Sequence, residues 1–169
     1  HPLYQNSQVR NDLGNLGSAD HKMLFGFDRS FGFHFRTSRQ GYWKSLEKRT
    51  FLLSEKMFSN VQYSNGVNRE NYLLANFTRG FGKLVNLGFS FNRDVSEGFY
   101  SKQKNVFTDM SVFGTFRSKD DRYKAILMFD YSNLRAEENG GLANDTIFER
   151  NLTSDRSFIR TNLSESSNH

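Results

Sequence analysis

The stretch YKAILMFDY, residues 123–131, decides the fold class that this sequence predicts. Apolar residues stand at alternate positions, and the polar residues Lys124 and Asp130 occupy positions between them. A period of two is typical of a β-strand with two unlike faces. The apolar face begins and ends with tyrosine, as membrane-spanning strands do between two headgroup layers. The pattern therefore predicts a strand that faces lipid on one side.

The average composition of the chain does not reveal strands of this kind. The chain has 169 residues, of which 24% are charged, and its mean hydropathy is −0.70. No apolar run approaches the roughly 18 to 20 residues that a spanning helix needs, which excludes a helical membrane protein. A β-barrel is not excluded, because its lumen-facing and loop residues are polar. The 18 Phe and 7 Tyr beside one Pro favour β structure.

Charge does not indicate a nucleic-acid partner, although the formal net charge is +5. The 23 Lys and Arg residues are scattered, and the densest groups, residues 44–49 and 117–122, also contain acidic residues. No recognition-helix, RNP-type or zinc-finger pattern accompanies them. The basic balance suits turns that lie against anionic headgroups, and a plain solvated surface explains it equally well.

Catalytic and metal-binding patterns are absent from the sequence. Cysteine is missing, and the four histidines, His1, His21, His34 and His169, have no ligand-like spacing. No nucleophile elbow or phosphate-binding loop occurs, and residues 80–83 are interpreted as a tight turn. We therefore expect a protein that is not an enzyme and has no cofactor and no metal.

Regular strand candidates begin at residue 58. They are separated by connections of alternating length, which is typical of an up-and-down meander with short periplasmic turns and long outer loops. The predicted strands are residues 58–64, 72–79, 84–93, 106–117 and 123–134. We expect residues 80–83 and 118–122 to be periplasmic turns, and residues 65–71, 94–105 and 136–155 to face outward.

Residues 1–57 form a separate N-terminal entry segment in this interpretation, and residues 58–169 form the meander of barrel strands. The entry segment contains two short aromatic stretches, residues 23–27 and 31–35, which predict short strands or one bent hairpin. Residues 36–56 are strongly charged without clean periodicity, and a loop, a partial helix or plug-like material would each fit.

Alternation assigns a face to each strand residue. The predicted lumen-facing residues are Asn86, Ser90, Asn92, Arg93, Asp109, Ser111, Thr115, Arg117, Lys124 and Asp130. The predicted lipid-facing residues are Val85, Leu87, Phe89, Phe91, Met110, Val112, Phe116, Tyr123, Ala125, Leu127, Phe129 and Tyr131. Phe113 falls on the polar side of its strand and disturbs the pattern.

Several short blocks of the sequence form a recognisable series, namely LGNLGSA at 13–19, NVQYSNG at 60–66, SEGFY at 96–100 followed by Gln103, RY at 122–123, and ENGG at 138–141. In their order and approximate spacing, these blocks resemble the putative porin family of Bacteroidota outer membranes. The resemblance covers nearly the whole chain and implies the N-terminal portion of a longer barrel. The expected fold is all-β, an antiparallel up-and-down transmembrane β-barrel of which about six or seven strands lie in this chain.

The expected function is a porin-like passive channel for small hydrophilic solutes in the outer membrane of a Gram-negative bacterium. Outer-membrane lipid is the expected partner. An alternative is a structural or interaction subunit of a larger outer-membrane complex, such as secretion or assembly machinery, with other outer-membrane proteins as partners. A soluble β-sandwich binding module also alternates in this way, but strands of about 9 to 11 residues with aromatic ends favour the membrane.

Thr146 is a candidate for modification. Asp145-Thr146-Ile147 resembles the Bacteroidota O-glycosylation signal and falls in the loop that we expect to lie outermost. We therefore predict an O-glycan on Thr146.

Overall fold

The fold is all-β in the part of the chain that the computed structural model describes, residues 10–12, 14–24, 39, 42, 49–141, 143, 146, 159–163 and 166–168. Its strands are β1 Arg10–Asp12, β2 Asp20–Lys22, β3 Phe58–Asn65, β4 Asn71–Phe81, β5 Val85–Ser96, β6 Asn105–Arg117, β7 Lys124–Glu138 and β8 Ser166–Asn168. A single 3₁₀ turn, Val67–Arg69, lies between β3 and β4.

Six strands form one antiparallel sheet in the chain order β3-β4-β5-β6-β7-β8, and β1 pairs with β2 in a separate small sheet. Each strand of the large sheet therefore pairs with the next one along the chain. Residues 82–84 and 118–123 connect strands at one end of the sheet, which we call the turn end. Residues 66–70 and 97–104 connect strands at the opposite end, the loop end. This topology confirms the predicted antiparallel up-and-down arrangement.

The two faces of the sheet differ sharply in composition and burial. The apolar face consists of cross-strand rows, and neighbouring rows lie two residues apart along each strand. The rows are Ala75-Phe91-Met110-Tyr131, Phe77-Phe89-Val112-Phe129, Arg79-Leu87-Gly114-Leu127 and Phe81-Val85-Phe116-Ala125. These four rows extend about 20 Å along the strands, close to the height of the apolar band of an outer-membrane barrel.

In this sheet the apolar side chains are exposed and the polar side chains are buried, which is the reverse of a sheet in a water-soluble protein. Leu127, on the apolar face, is 81% exposed, whereas Asn92 and Asp109, on the opposite face, are 4% and 2% exposed. We call this opposite face the polar face. Its buried polar residues are Thr78, Asn86, Asn92, Asp94, Ser96, Asn105, Asp109 and Ser111. A β-sandwich would bury its apolar face instead, so the exposed rows argue against that alternative.

The N-terminal part of the chain covers the polar face. Asn15 lies near the loop end, Tyr42 packs on the same half of the sheet, and residues 49–55 continue toward the turn end, where β3 begins. Residues 49–57 belong to no strand. Of the three possibilities left open for residues 36–56, the position of 49–55 resembles plug-like material.

Several boundaries differ from the sequence prediction. β5 and β7 extend to Ser96 and Glu138, beyond the predicted ends, because polar residues near the loop end still find partners on the polar face. Tyr123 precedes β7 and is exposed. Met23 and Leu24 are exposed and outside any strand, which contradicts the start of the predicted aromatic strand. Residues 25–38, which hold the rest of the two aromatic stretches, lie outside the described residues.

Phe113 has a specific place on the polar face. Its ring lies over Gly88 on the neighbouring strand, where a Cβ atom would come within 2.2 Å of the ring. It also meets the Phe51 ring edge to face at 5.1 Å, a favourable aromatic geometry. The residue that disturbs the alternation is thus a buried contact between the sheet and the N-terminal segment.

Gly88→Ala is expected to lower the free energy of unfolding by about 1–3 kcal/mol, because the new methyl group overpacks against the Phe113 ring. Gly114→Ala is the matched control, since a Cβ there would meet only the end of the Leu87 side chain at 3.3 Å. Chemical unfolding of the two variants in lipid measures the difference. Equal stabilities would show that Phe113 does not pack over Gly88.

No helix among the residues described is long and apolar enough to cross a bilayer.

Candidate functional site on the polar face

The polar face holds most residues that the sequence analysis assigned to a lumen. Cross-strand pairing places them on one side of β5, β6 and β7. The residues on this face are Asn86, Ser90, Asn92, Asp109, Ser111, Thr115, Arg117, Lys124 and Asp130. Four of them are buried, namely Asn86, Asn92, Asp109 and Ser111. Ser90 and Thr115 are half-buried, and Arg117, Lys124 and Asp130 are exposed.

Arg93 is on the other face, and its assignment to the lumen is wrong. It pairs with Leu73 on one side and Thr108 on the other, in the row next to that of Phe91. It is exposed, whereas its sequence neighbours Asn92 and Asp94 are buried. The physical reason is the strict alternation of a strand, which puts adjacent residues on opposite faces whatever their polarity.

The predicted lipid-facing residues share the apolar face. Those within β5, β6 and β7 are all exposed or half-exposed, namely Val85, Leu87, Phe89, Phe91, Met110, Val112, Phe116, Ala125, Leu127, Phe129 and Tyr131. Tyr123 is exposed just before β7. Arg79 interrupts this face, and its guanidinium lies 5.1 Å from the centre of the Phe81 ring, a cation–π distance.

An ion pair lies at the centre of the polar face. The Arg49 guanidinium donates two hydrogen bonds to Asp109, from Nη1 to Oδ2 at 2.8 Å and from Nη2 to Oδ1 at 2.9 Å. Arg49 Nε lies 3.4 Å from Asp130 Oδ1, and Ser132 Oγ donates to Asp109. The Arg49 and Asp109 side chains are only 8% and 3% exposed. A bidentate, buried pair of this kind is strong and specific in geometry.

Backbone carbonyls of the N-terminal segment are held at the turn end. Asn86 Nδ2 donates to the Ser54 carbonyl oxygen at 2.8 Å. Thr78 Oγ1 lies 2.8 Å from the Leu52 carbonyl oxygen and 2.7 Å from Asn86 Oδ1. Gly80 permits this close approach, because a Cβ atom there would lie 2.4 Å from the Ser54 carbonyl oxygen. The segment therefore lies directly on the strand backbone.

Amide groups fix the N-terminal part near the loop end. Asn15 Nδ2 donates to the Gln103 carbonyl oxygen at 2.6 Å, and Ser96 Oγ donates to Asn15 Oδ1. Ser96 is completely buried. Asn15 thus replaces water as the partner of polar groups at the loop end of β5.

A small apolar cluster lies beside these amides on the polar face. Tyr42 packs against Phe107 with ring centres 5.9 Å apart, and both contact the region of Leu134. The Tyr42 hydroxyl accepts a hydrogen bond from the Gly17 backbone N–H at 2.9 Å. The cluster adds apolar burial to an otherwise polar interface, which anchors the N-terminal part on the sheet.

Two open cavities flank the central ion pair. One of about 580 Å³ lies at the turn end between residues 53–55 and the sheet, and its charged lining residues are Glu55, Lys83, Arg117 and Lys124. The other, of about 320 Å³, lies at the loop end, where Arg39 pairs with Glu138 at 3.5 Å. Both ends of the polar face therefore have room for water or small solutes beside charged groups.

Asp121 offsets the positive charge of the turn end. Arg117 donates two hydrogen bonds of 2.6 Å to its carboxylate, and the Lys124 ammonium lies 3.5 Å away. The hydrogen bonds from Arg117, together with these two charges, lower the pKa of Asp121 below its ordinary value. The stabilisation that Asp121 gives is therefore present above its unfolded-state pKa and is lost as the pH falls through the lowered value.

Arg49, Thr78 and Asn15 belong to this site, and the sequence pattern predicts none of the three. Arg49 stands in a charged stretch without periodicity, and its partner Asp109 is 60 residues away. The one signal for Arg49 in the sequence is the pair of acidic residues Asp109 and Asp130, which the alternation places on the same face of neighbouring strands.

The predictions about metal ions and modification are not tested by the structure. Among the described residues, no group of three or more His, Asp or Glu side chains converges. Thr146 is half-buried, its neighbours 144, 145 and 147 lie outside the described residues, and its O-glycan stays a prediction.

Comparison with known proteins identifies a family. The family described as "Putative porin" matches residues 1–169. No curated protein and no solved structure matches the chain.

Proposed function

Because the chain belongs to the putative porin family across residues 1–169, we propose that it forms part of an outer-membrane β-barrel of a Gram-negative bacterium, one of the Bacteroidota. The barrel works as a passive channel for small hydrophilic solutes. Outer-membrane lipid is its partner on the apolar face, and the polar face lines the lumen.

The inverted burial of the sheet carries this proposal. A row such as Phe77-Phe89-Val112-Phe129 exposes contiguous apolar surface, which a water-soluble protein avoids. Lipid is the environment in which that surface is stable, and the polar residues then lie toward the interior of the barrel. The proposal requires strands beside β3 and β8 that complete the barrel, because an unpaired backbone edge in hydrocarbon costs several kcal/mol per group.

Passage through such a channel needs no catalytic residue, so the protein is not an enzyme in this proposal. The width of the lumen and the charges along it determine which solutes pass. Lys124 and Arg117 are exposed at the turn end, and Asp130 lies near the centre beside Arg49. These groups supply the local field that a diffusing ion meets.

A second candidate function is favoured by the cover over the polar face. Residues 49–55 and Asn15 occupy positions where an open pore would hold water. A barrel filled in this way would suit a structural or interaction subunit of a larger outer-membrane complex, in which other outer-membrane proteins are the partners. Purification with stoichiometric partners, together with absence of conductance, would favour this second function.

Conductance of the complete protein in planar lipid bilayers tests the channel. We expect single-channel steps, and we expect Lys124→Glu to raise the ratio of cation to anion permeability while Asp130→Lys lowers it, since each reverses a charge on the polar face. Arg93→Glu is the matched control, because it reverses a charge on the other face and should leave the ratio unchanged. A folded, complete protein that never conducts would contradict the channel.

A further inference from the structure

We propose that residues 49–55 form the constriction of the channel and that Arg49 sets its ionic selectivity. This inference rests on the proposed channel function and deepens it. The segment 49–55 is held on the polar face at three successive levels between the centre of the sheet and its turn end.

The three levels use different interactions. At the centre, Arg49 forms the bidentate pair with Asp109. One level further, Phe51 contacts Phe113 edge to face. At the turn end, Asn86 donates to the Ser54 carbonyl oxygen. Contacts spaced in this way hold an extended backbone along the face, where it takes up width that solutes would otherwise use.

Arg49 also balances charges that belong to the sheet. Asp109 pairs with Ser132 and Asp130 pairs with Ser111, so the two carboxylates lie diagonally on neighbouring strands of the polar face. Like charges at that separation repel in a partly desolvated site. The guanidinium lies within 2.8 Å of one and 3.4 Å of the other, so one positive charge opposes two negative charges at the centre of the polar face.

Arginine suits this position better than lysine would. Its planar fork satisfies both oxygens of Asp109 while the same delocalised charge lies 3.4 Å from Asp130 Oδ1, whereas an ammonium group is a point charge. The residue thereby performs two roles, since it fastens the segment and masks the negative charge of the lumen. Loss of Arg49 should therefore change both the width of the pore and its selectivity.

The test compares variants of the complete protein in planar bilayers. Arg49→Gln should raise the conductance on the order of twofold and increase cation over anion permeability, because the segment is released and both carboxylates face the pore. Asp109→Asn should lower cation over anion permeability. Arg93→Gln, which removes the same charge from the other face, should conduct like the original protein.

Two further variants separate the constriction from a simple folding defect. Arg49→Leu with Asp109→Leu removes one positive and one negative charge and leaves Asp130, so the local net charge stays the same. This variant should conduct more than the original protein at unchanged selectivity. Arg49→Asp with Asp109→Arg exchanges the partners and should restore the original conductance. If the single variants fail to fold, the two double variants still test the proposal.

The outcomes distinguish the two proposals. If the original protein conducts and the Arg49 variants match Arg93→Gln in conductance and selectivity, the proposed constriction is contradicted and the proposed channel function is supported. If no folded variant conducts, the channel itself is wrong and the constriction with it. Higher conductance of Arg49→Gln and of the double leucine variant, together with restoration by the exchanged pair, supports the inference.

Discussion

Asp109→Leu is expected to lower the free energy of unfolding by about 3–5 kcal/mol, because it leaves the Arg49 guanidinium buried without its bidentate partner. Asp130 stays near Arg49 Nε at 3.4 Å, which places the expected loss toward the lower end of that range. Chemical unfolding of the complete protein in lipid vesicles, followed by tryptophan fluorescence or by heat-modified gel mobility, measures it.

The matched control removes both partners. Arg49→Leu with Asp109→Leu removes both charges of the bidentate pair and leaves only Asp130, whose side chain is 26% exposed, without its neighbouring cation. Replacement of a buried ion pair by apolar residues is often neutral or stabilising. The double variant should therefore be more stable than Asp109→Leu alone. If Asp109→Leu were as stable as the original protein, the ion pair would not be buried on the folded sheet.

Leu127→Arg is the second substitution with a large expected effect. Leu127 is 81% exposed and lies in an inner row of the apolar face, beside Gly114. In water such a substitution would change stability by less than about 0.5 kcal/mol. In lipid, an arginine at the bilayer midplane costs about 2–4 kcal/mol. The decrease in the free energy of unfolding therefore shows whether Leu127 faces lipid or water.

Asn133→Arg is its control on the same strand. Asn133 shares the face of Leu127 but lies six residues closer to the loop end, beyond the apolar rows. An arginine near the headgroups costs only about 0–1 kcal/mol. Both variants are unfolded chemically in the same vesicles. Equal, small losses for the two variants would show that the apolar face is not in hydrocarbon.

The strands and their faces could be predicted from sequence because both follow from one local rule. Side chains of a strand alternate between two faces, so the run of Val85, Leu87, Phe89 and Phe91 fixes the apolar side of β5 without any knowledge of its neighbours. The order of the strands followed from the short connections, since consecutive strands joined by tight turns pair with each other.

Arg93 was assigned to the wrong face because the assignment followed the polarity of its side chain and not its position in the strand alternation. Near the ends of spanning strands, charged residues occur on either face, since the headgroups and water accept them there. Arg93 lies next to the row of Phe91 toward the loop end, where this applies. The alternation alone, counted from Asn92, assigns it correctly.

The N-terminal segment could not be placed from sequence, because its contacts leave no periodic signature. Leu52 and Ser54 take part through backbone carbonyls, which every residue possesses. Arg49 takes part through a single long-range ion pair. Interactions of these kinds depend on the register of distant strands, and only the folded sheet brings the partners together.

Phe113 shows the same limit in one residue. Its aromatic ring on a polar face was an irregularity in the sequence pattern. Its explanation needs Gly88 on the adjacent strand and Phe51 from the covering segment. The alternation of strand residues identified Phe113 as an exception, but only its packing in the folded protein explains why an aromatic residue stands there.

The central claim is that the apolar face meets lipid and the polar face meets the aqueous lumen. The 169 residues contain no cysteine. Single-cysteine variants at each position from 124 to 131, made in the complete protein with any cysteine elsewhere replaced by serine, can therefore carry one nitroxide label in bilayers. Power-saturation electron paramagnetic resonance then compares accessibility to oxygen, which concentrates in lipid, with accessibility to a water-soluble nickel chelate.

We expect a period of two along β7. Labels at Ala125, Leu127 and Phe129 should be accessible to oxygen and protected from nickel, and labels at Lys124 and Ile126 should show the opposite preference. An absent alternation, or one of opposite phase, would contradict the account.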